Sequence, residues 1–184
     1  MAIEKLNITR IRNVKLPTRA NKGDAGIDIY LPMDLTRVDM EKTFQITKFY
    51  TQCNYDMSNG YLKNICLQPG ENVLIKTGLK INVPEGYVLK VENKSSVASE
   101  KKLMVGACVI DSSYTGEVII DLHNVGKTEN PRCVSTLCAG DKIAQLVLYK
   151  IETPEINEVE TVGELFKDKM TSRGNGGFGS TGSN

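Results

Sequence analysis

The sequence has no tryptophan and a single histidine, His123. A lone imidazole cannot build a multi-histidine metal site, and neither a G-x-S-x-G elbow nor a phosphate-loop lysine motif is present. Cysteine is scarce: Cys53, Cys66, Cys108, Cys133 and Cys138 form an odd set without a CxxC pair. That usage fits reduced thiols better than a disulfide framework or a zinc site. No apolar run approaches the roughly 18 residues that span a bilayer, and the opening MAIEKLNITRIR lacks the apolar core of a signal peptide. The expectation is a soluble, cytoplasmic protein with no membrane partner. With 23 basic and 22 acidic residues the net charge is +1. No global field then draws nucleic acid, and any anion site has to be built locally.

What remains is enough for one domain with a core: 184 residues are too few for two comfortable ones. Ile3, Ile8 and Ile11 suggest an opening strand, and a turn around Gly23 and Asp24 leads into the apolar run Ile27 to Leu31. That run carries Asp28, which either has a partner or faces water from an edge strand. Residues 33–66 break the rhythm and hold Phe44, Phe49, Tyr50, Tyr55 and Tyr61, about half of all the aromatics. This part reads as an insertion, either a hairpin-like excursion with its own small apolar cluster or a dedicated partner surface. A period of two then runs through Val73, Ile75, Thr77, Leu79, Ile81 and Val83, and a second through Tyr87, Leu89 and Val91.

After Asn93, KSSVASEKKLMVG reads as a loop in which Lys94, Ser95 and Ser96 offer a cation, hydroxyls and amides to an anion. In VGACVIDSSYTGEVIIDLHN, the runs Val105 to Ile110 and Val118 to Leu122 read as the arms of one β-hairpin with Asp111 near its tip. Its second arm puts Val118, Ile120 and Leu122 on one face and Ile119, Asp121 and His123 on the other. Asp121 and His123 are then a general acid/base pair or a satisfied hydrogen-bonded pair. Gln145 interrupts the last strand, Ile143 to Leu148, and a buried amide has to find partners. Beyond Pro154 an acidic stretch leads to a Gly- and Ser-rich tail that has no core of its own. Phe178 in that tail favours an arm that closes on a ligand over a plain linker.

Five segments carry a resemblance: DAGIDIY (24–30), KSSVAS (94–99), VGACVIDSSYTGE (105–117), GDKIAQLVL (140–148) and SRGNGGFGSTG (172–182). In this order they resemble the motifs of the trimeric dUTPase family, the deoxyuridine triphosphate nucleotidohydrolases. The resemblance implies an all-β, distorted jelly-roll (β-clip) subunit, one domain over residues 1–184 with the insertion at 33–66 and a C-terminal arm at 154–184. It also implies a homotrimer whose sites draw on three chains, the arm closing over a neighbour's site. The implied reaction is hydrolysis of dUTP to dUMP and diphosphate, which limits uracil incorporation into DNA and supplies dUMP for thymidylate synthesis.

By the same resemblance, Asp111 orients and deprotonates the attacking water, and Tyr114 packs on the deoxyribose and excludes a 2′-hydroxyl. Hairpin backbone at Cys108 and Val109 reads the uracil edge. Lys94, Ser95, Ser96 and Gln145 surround the phosphates, and Asp28 holds Mg²⁺ through its water shell. Arg173, Ser180 and Thr181 clamp the γ-phosphate while Phe178 stacks over uracil, and Gly179 beside them is a further substrate-binding position. The chain departs from the family pattern at Lys94, usually arginine, at Cys108, often glycine, and in the insertion. Two alternatives stand beside this reading. One is a dCTP deaminase-like enzyme, in which an acidic group near Asp121 is used. The other is a dUTPase-like interaction protein whose insertion binds a partner.

Overall fold

Alternation and turn chemistry translate directly into strands. The structure, a computed structural model, describes residues 5–43, 52–127 and 134–167. In chain order the elements are β1 (Asn7–Arg10), β2 (Ile27–Tyr30), α1 (Arg37–Thr43), β3 (Gln52–Tyr55), β4 (Leu62–Leu67), β5 (Asn72–Lys76), β6 (Leu79–Asn82) and β7 (Tyr87–Glu92). There follow α2 (Ser95–Lys101), β8 (Leu103–Val105), β9 (Val109–Ile110), β10 (Ile119–Asn124), β11 (Ser135–Cys138), β12 (Lys142–Lys150) and α3 (Val162–Leu165). Among the described residues no helix is long and apolar enough to cross a membrane.

Every strand pair is antiparallel, giving the ribbon β1-β6 and the sheets β5-β10-β8, β11-β4-β3 and β2-β12-β7-β9, an all-β, jelly-roll-like architecture. The period-two run from Val73 to Val83 buries all six of its inward positions, although it is split between β5 and β6. Gly78 makes the break possible. It sits at φ +72°, and an added Cβ would meet the Arg12 side chain at 2.8 Å. Thr77, wholly buried, satisfies its hydroxyl on the Val118 carbonyl at 2.7 Å.

Three local expectations are corrected. Ser95–Lys101 is a helix, not a loop; it is too short to print a helical period and is anchored by one buried residue, Val97. The arms of the expected hairpin divide between two sheets. β8 pairs with β10, Leu122 opposite Val105, but β9 leaves that ladder and pairs with β7, where Val91 N–H donates to the Cys108 carbonyl at 2.9 Å. The third correction concerns the insertion, whose described residues form the hairpin β3-β4 but no separate apolar cluster; Phe44, Phe49 and Tyr50 lie outside the described residues. Its Leu35, Met40, Leu62 and Ile65 belong to the same buried core as Ile29, Ile75 and Leu146, and β4 also pairs with β11.

The chain divides into two compact units, residues 1–152 and 153–184. In the second, α3 is a single turn whose Thr161 hydroxyl accepts from the Glu164 amide at 3.1 Å. Leu146, fully buried in the middle of β12, holds two strands against the core of the first unit. Leu146→Ala is expected to lower the unfolding free energy by about 2–5 kcal/mol in urea titration; a loss under about 1 kcal/mol would mean that this sheet does not depend on that contact.

Candidate active site

All four residues of β2 are buried, so Asp28 lies in a strand with no water face. A carboxylate there has to be neutralised. Lys94 approaches one oxygen at 3.0 Å and Lys142 the other at 2.6 Å. Burial works to raise the Asp28 pKa, but the bonds and charges of Lys142 and Lys94 outweigh it and hold the carboxyl below its ordinary range. Lys142 is correspondingly pushed above the usual ammonium value by Asp28.

Gln145 of β12 stands opposite Asp28 of β2 on one side and Glu92 of β7 on the other. Its amide donates to the Asn93 carbonyl at 2.9 Å, and the Asn93 side chain accepts from the Val105 amide at 2.7 Å. Across from it, Gly26 leaves room for the side-chain oxygen Oε1 of Gln145, which an added Cβ would strike. Four separated stretches of sequence therefore meet at one end of the β2-β12-β7-β9 sheet. Ser95 and Ser96 are exposed in the first turn of α2 beside them. The trio of Asp28, Lys94 and Lys142 carries one positive charge more than it neutralises, which suits an anion.

Asp111 and Tyr114 lie elsewhere, while Cys108 and Val109 run beside Val91 and Lys90 of β7. With Ile110 opposite Leu89 and Val109 opposite Lys90, Asp111 leaves the sheet at the level of Val88. Lys94 and Ser95 lie past Glu92, so about 13 Å of strand separates the two groups within one chain. Asp111 is exposed, and its carbonyl accepts from the Tyr114 amide at 3.1 Å. The Tyr114 phenol donates to the Glu117 carbonyl at 2.7 Å, its ring lying where Gly116 has no Cβ. A cavity of about 380 Å³ opens beside that ring, walled by Ser112, Thr115, Ile8, Lys80 and Ile81. Arg173, Phe178, Gly179, Ser180 and Thr181 lie outside the described residues.

Asp121 and His123 are hydrogen-bonded to each other. Asp121 meets His123 Nε2 at 2.8 Å with one oxygen and accepts from the Asn72 amide at 2.9 Å with the other. They stand on β10 in the β5-β10-β8 sheet, whereas Asp28 stands in the β2-β12-β7-β9 sheet.

The family model described as dUTPase matches residues 54–182. The chain belongs to the dUTPase family. Among relatives, the deoxyuridine 5'-triphosphate nucleotidohydrolase of Fowlpox virus is 40% identical over 128 residues, covering 70% of this chain and 81% of that one. The Mus musculus protein of the same name is 38% identical over 130 residues, 71% of this chain and 72% of its own. That of Mycolicibacterium vanbaalenii is 30% identical over 173 residues, 93% and 90%. The fold of this dUTPase is also that of a Staphylococcus bacteriophage 80alpha dUTPase mutant with dUpNHpp, at a TM-score of 0.67 and 24% identity over 98% of this chain and 100% of that one. A mutant phage phi11 dUTPase, whose structure details the coordination of a structural Mg(II) ion, superposes at a TM-score of 0.63 with 24% identity over 87% and 99%.

Both oxygens of Asp28 are already met by ammonium groups, and among the described residues no three His, Cys, Asp or Glu side chains gather as a metal site. As placed in this dUTPase, Asp28 does not fit the hydrated Mg²⁺ expected of it, because a divalent cation would face two lysines. Sequence reasoning missed Lys142 and Asn93. The signal for Lys142 was available, since a buried Asp28 requires a cation and GDKIAQ supplies one three residues before Gln145.

The depressed Asp28 pKa has a definite sign in stability. Its contribution is full above the ordinary carboxylate pKa, near 3.9, and is lost as pH falls through the lower folded value. Melting curves from pH 7 to pH 2 should place Asp28→Asn well below the parent at neutral pH and bring the two together below about pH 4. Curves that stay parallel down to pH 2 would show that the carboxylate is not held this way.

Proposed function

We propose that this dUTPase hydrolyses dUTP to dUMP and diphosphate, and that each site is assembled from different copies of the chain in a homotrimer. The observation that carries the assembly is the division of the expected site residues. Asp111 and Tyr114 stand at one end of β7, whereas Lys94, Ser95, Ser96 and Gln145 gather past the other. A triphosphate cannot be served by both groups of one chain across about 13 Å of strand and still have water at its α-phosphorus. A second copy that presents its Asp111 loop to the lysine–serine end completes the site. The exposed Ile156, Val162, Leu165 and Phe166 support an arm that docks on another copy.

In this reading Asp111 holds a water and takes its proton as the water oxygen bonds to the α-phosphorus. The bond from that phosphorus to the α,β-bridging oxygen breaks, and the electron pair leaves with diphosphate. Lys94 and the Ser95 and Ser96 groups stabilise the charge that develops on the leaving oxygens, at an end of the sheet that already carries surplus positive charge. Lys94 does this as a point charge without the forked geometry of arginine. Cys108 and Val109 offer backbone to the uracil edge, and Tyr114 packs on the sugar. Magnesium belongs to this reading as the triphosphate's counter-ion and is assigned to no protein ligand.

Diphosphate release in magnesium buffer, compared for dUTP, dCTP, dTTP and UTP, tests the reaction and its base and sugar choice together. Turnover of dUTP alone is expected, with Asp111→Asn slower by about 100-fold or more while still binding dUTP. Unchanged turnover in Asp111→Asn would remove it as the base, and ammonia release from dCTP would replace the reaction.

A further inference from the structure

The Arg12 side chain joins the insertion to the Asp111 loop. Arg12, between β1 and β2, forks onto Asp39 of α1, with Nη2 to Oδ1 at 2.7 Å and Nη1 to Oδ2 at 3.2 Å. Its Nε donates to Glu117 Oε1 at 3.1 Å. The same Glu117 oxygen accepts from the Gly78 amide at 2.8 Å. Glu117 in turn supplies the carbonyl that receives the Tyr114 phenol, and the Tyr114 amide donates to the Asp111 carbonyl.

The Asp39 end of this chain of contacts is itself held. Asp39 Oδ2 accepts from the Thr36 amide at 3.1 Å and hydroxyl at 2.8 Å, while the Thr36 hydroxyl meets the Asp39 amide at 3.3 Å. That is a reciprocal cap on the first turn of α1, so Asp39 cannot move without disturbing the helix start. Lys76 of β5 adds a second cation at 3.7 Å. The Arg12, Asp39 and Glu117 side chains are only 16–20% exposed, so solvent screens the pairs weakly. Burial opposes the charge on Asp39, but the Thr36 bonds and the Arg12 guanidinium overcome it and hold the carboxyl below its ordinary range.

We infer that Arg12 is a positioning residue for the Asp111–Glu117 loop, and that through Asp39 it makes the inserted helix a determinant of how Tyr114 meets the sugar. The guanidinium supplies what the position requires, a planar fork for one carboxylate and a third N–H for another. An ammonium group at this place reaches one carboxylate at a time. Loss of the Asp39 fork leaves Arg12 free to rotate, Glu117 then loses a donor, and the carbonyl that fixes the Tyr114 phenol is no longer set. The inference rests on the proposed roles of Asp111 and Tyr114 and adds to them a role for a segment that the family pattern lacks.

The test uses the full-length protein and the variants Arg12→Lys, Asp39→Asn, Glu117→Gln and the double variant Arg12→Lys/Asp39→Asn. Steady-state kinetics on dUTP and UTP are read beside deuterium exchange of the segment containing the Tyr114 amide. Each single variant is expected to lose on the order of 10- to 100-fold in kcat/KM for dUTP. The preference for dUTP over UTP should shrink, and exchange at Tyr114 should become faster. Lysine does not rescue, and the double variant is no worse than its poorer parent, because the residues act as one unit. A merely structural Arg12 would lower the melting temperature and the rate while leaving sugar preference and Tyr114 exchange at parental values. That result, or additive losses in the double variant, overturns the inference. If the parent protein does not hydrolyse dUTP, the functional reading falls, and the exchange measurement still decides whether Asp39 reaches Tyr114.

Discussion

A carboxylate inside a strand that is buried on both faces has to find positive charge, and the way Asp28 does so governs how this end of the protein is put together. Lys142 comes from the neighbouring strand β12 and Lys94 from the end of β7, so one neutralisation pins three strands at a common level. Gln145, the strand partner of Asp28 on β12, then has to satisfy its own side-chain amide and does so on Asn93, which also holds the start of the Asp111 segment through the Val105 amide. A buried group left unpaired at any step would cost about 1–3 kcal/mol or more. The network is therefore completed through all four stretches, and its by-product is an end of the sheet with surplus positive charge and two exposed serines.

Much of this was legible in the sequence, for a physical reason. Period two survives tertiary packing wherever one face is buried, so the six alternating residues from Val73 to Val83 announced their strands even though Gly78 breaks them into two. Val118, Ile120 and Leu122 announced their inward face in the same way. The buried Asp28 told of a partner, because charge is costly inside a protein, but not of which lysine would come. What could not be read depends on contacts between distant segments. The division of the Asp111 arms between two sheets is decided by β7, whose Val91 amide takes the Cys108 carbonyl, and no local pattern records that choice. The helix at Ser95 was hidden because seven residues anchored by Val97 alone do not form a stripe.

The insertion shows the same limit. Its break in rhythm was visible, but its integration was not. Apolar residues from it fill the common core, and Asp39 reaches Arg12, 27 positions away, which reaches Glu117, 105 positions further along. An inserted segment that shares a core and a charge network with the loop carrying Asp111 is built into the fold, in contrast with one tethered at the surface.

The central claim is that Asp111 of one copy serves the lysine–serine end of another. Mixing subunits tests it directly. Asp111→Asn and Ser95→Ala are each expected to be nearly inactive alone, since every site then lacks one group. When the two are unfolded together in equal amounts and allowed to assemble, random trimers should regain roughly one quarter of the parental rate, because one site in each mixed trimer receives both intact groups. Mixed assemblies that stay as inactive as either variant alone would contradict a site shared between copies.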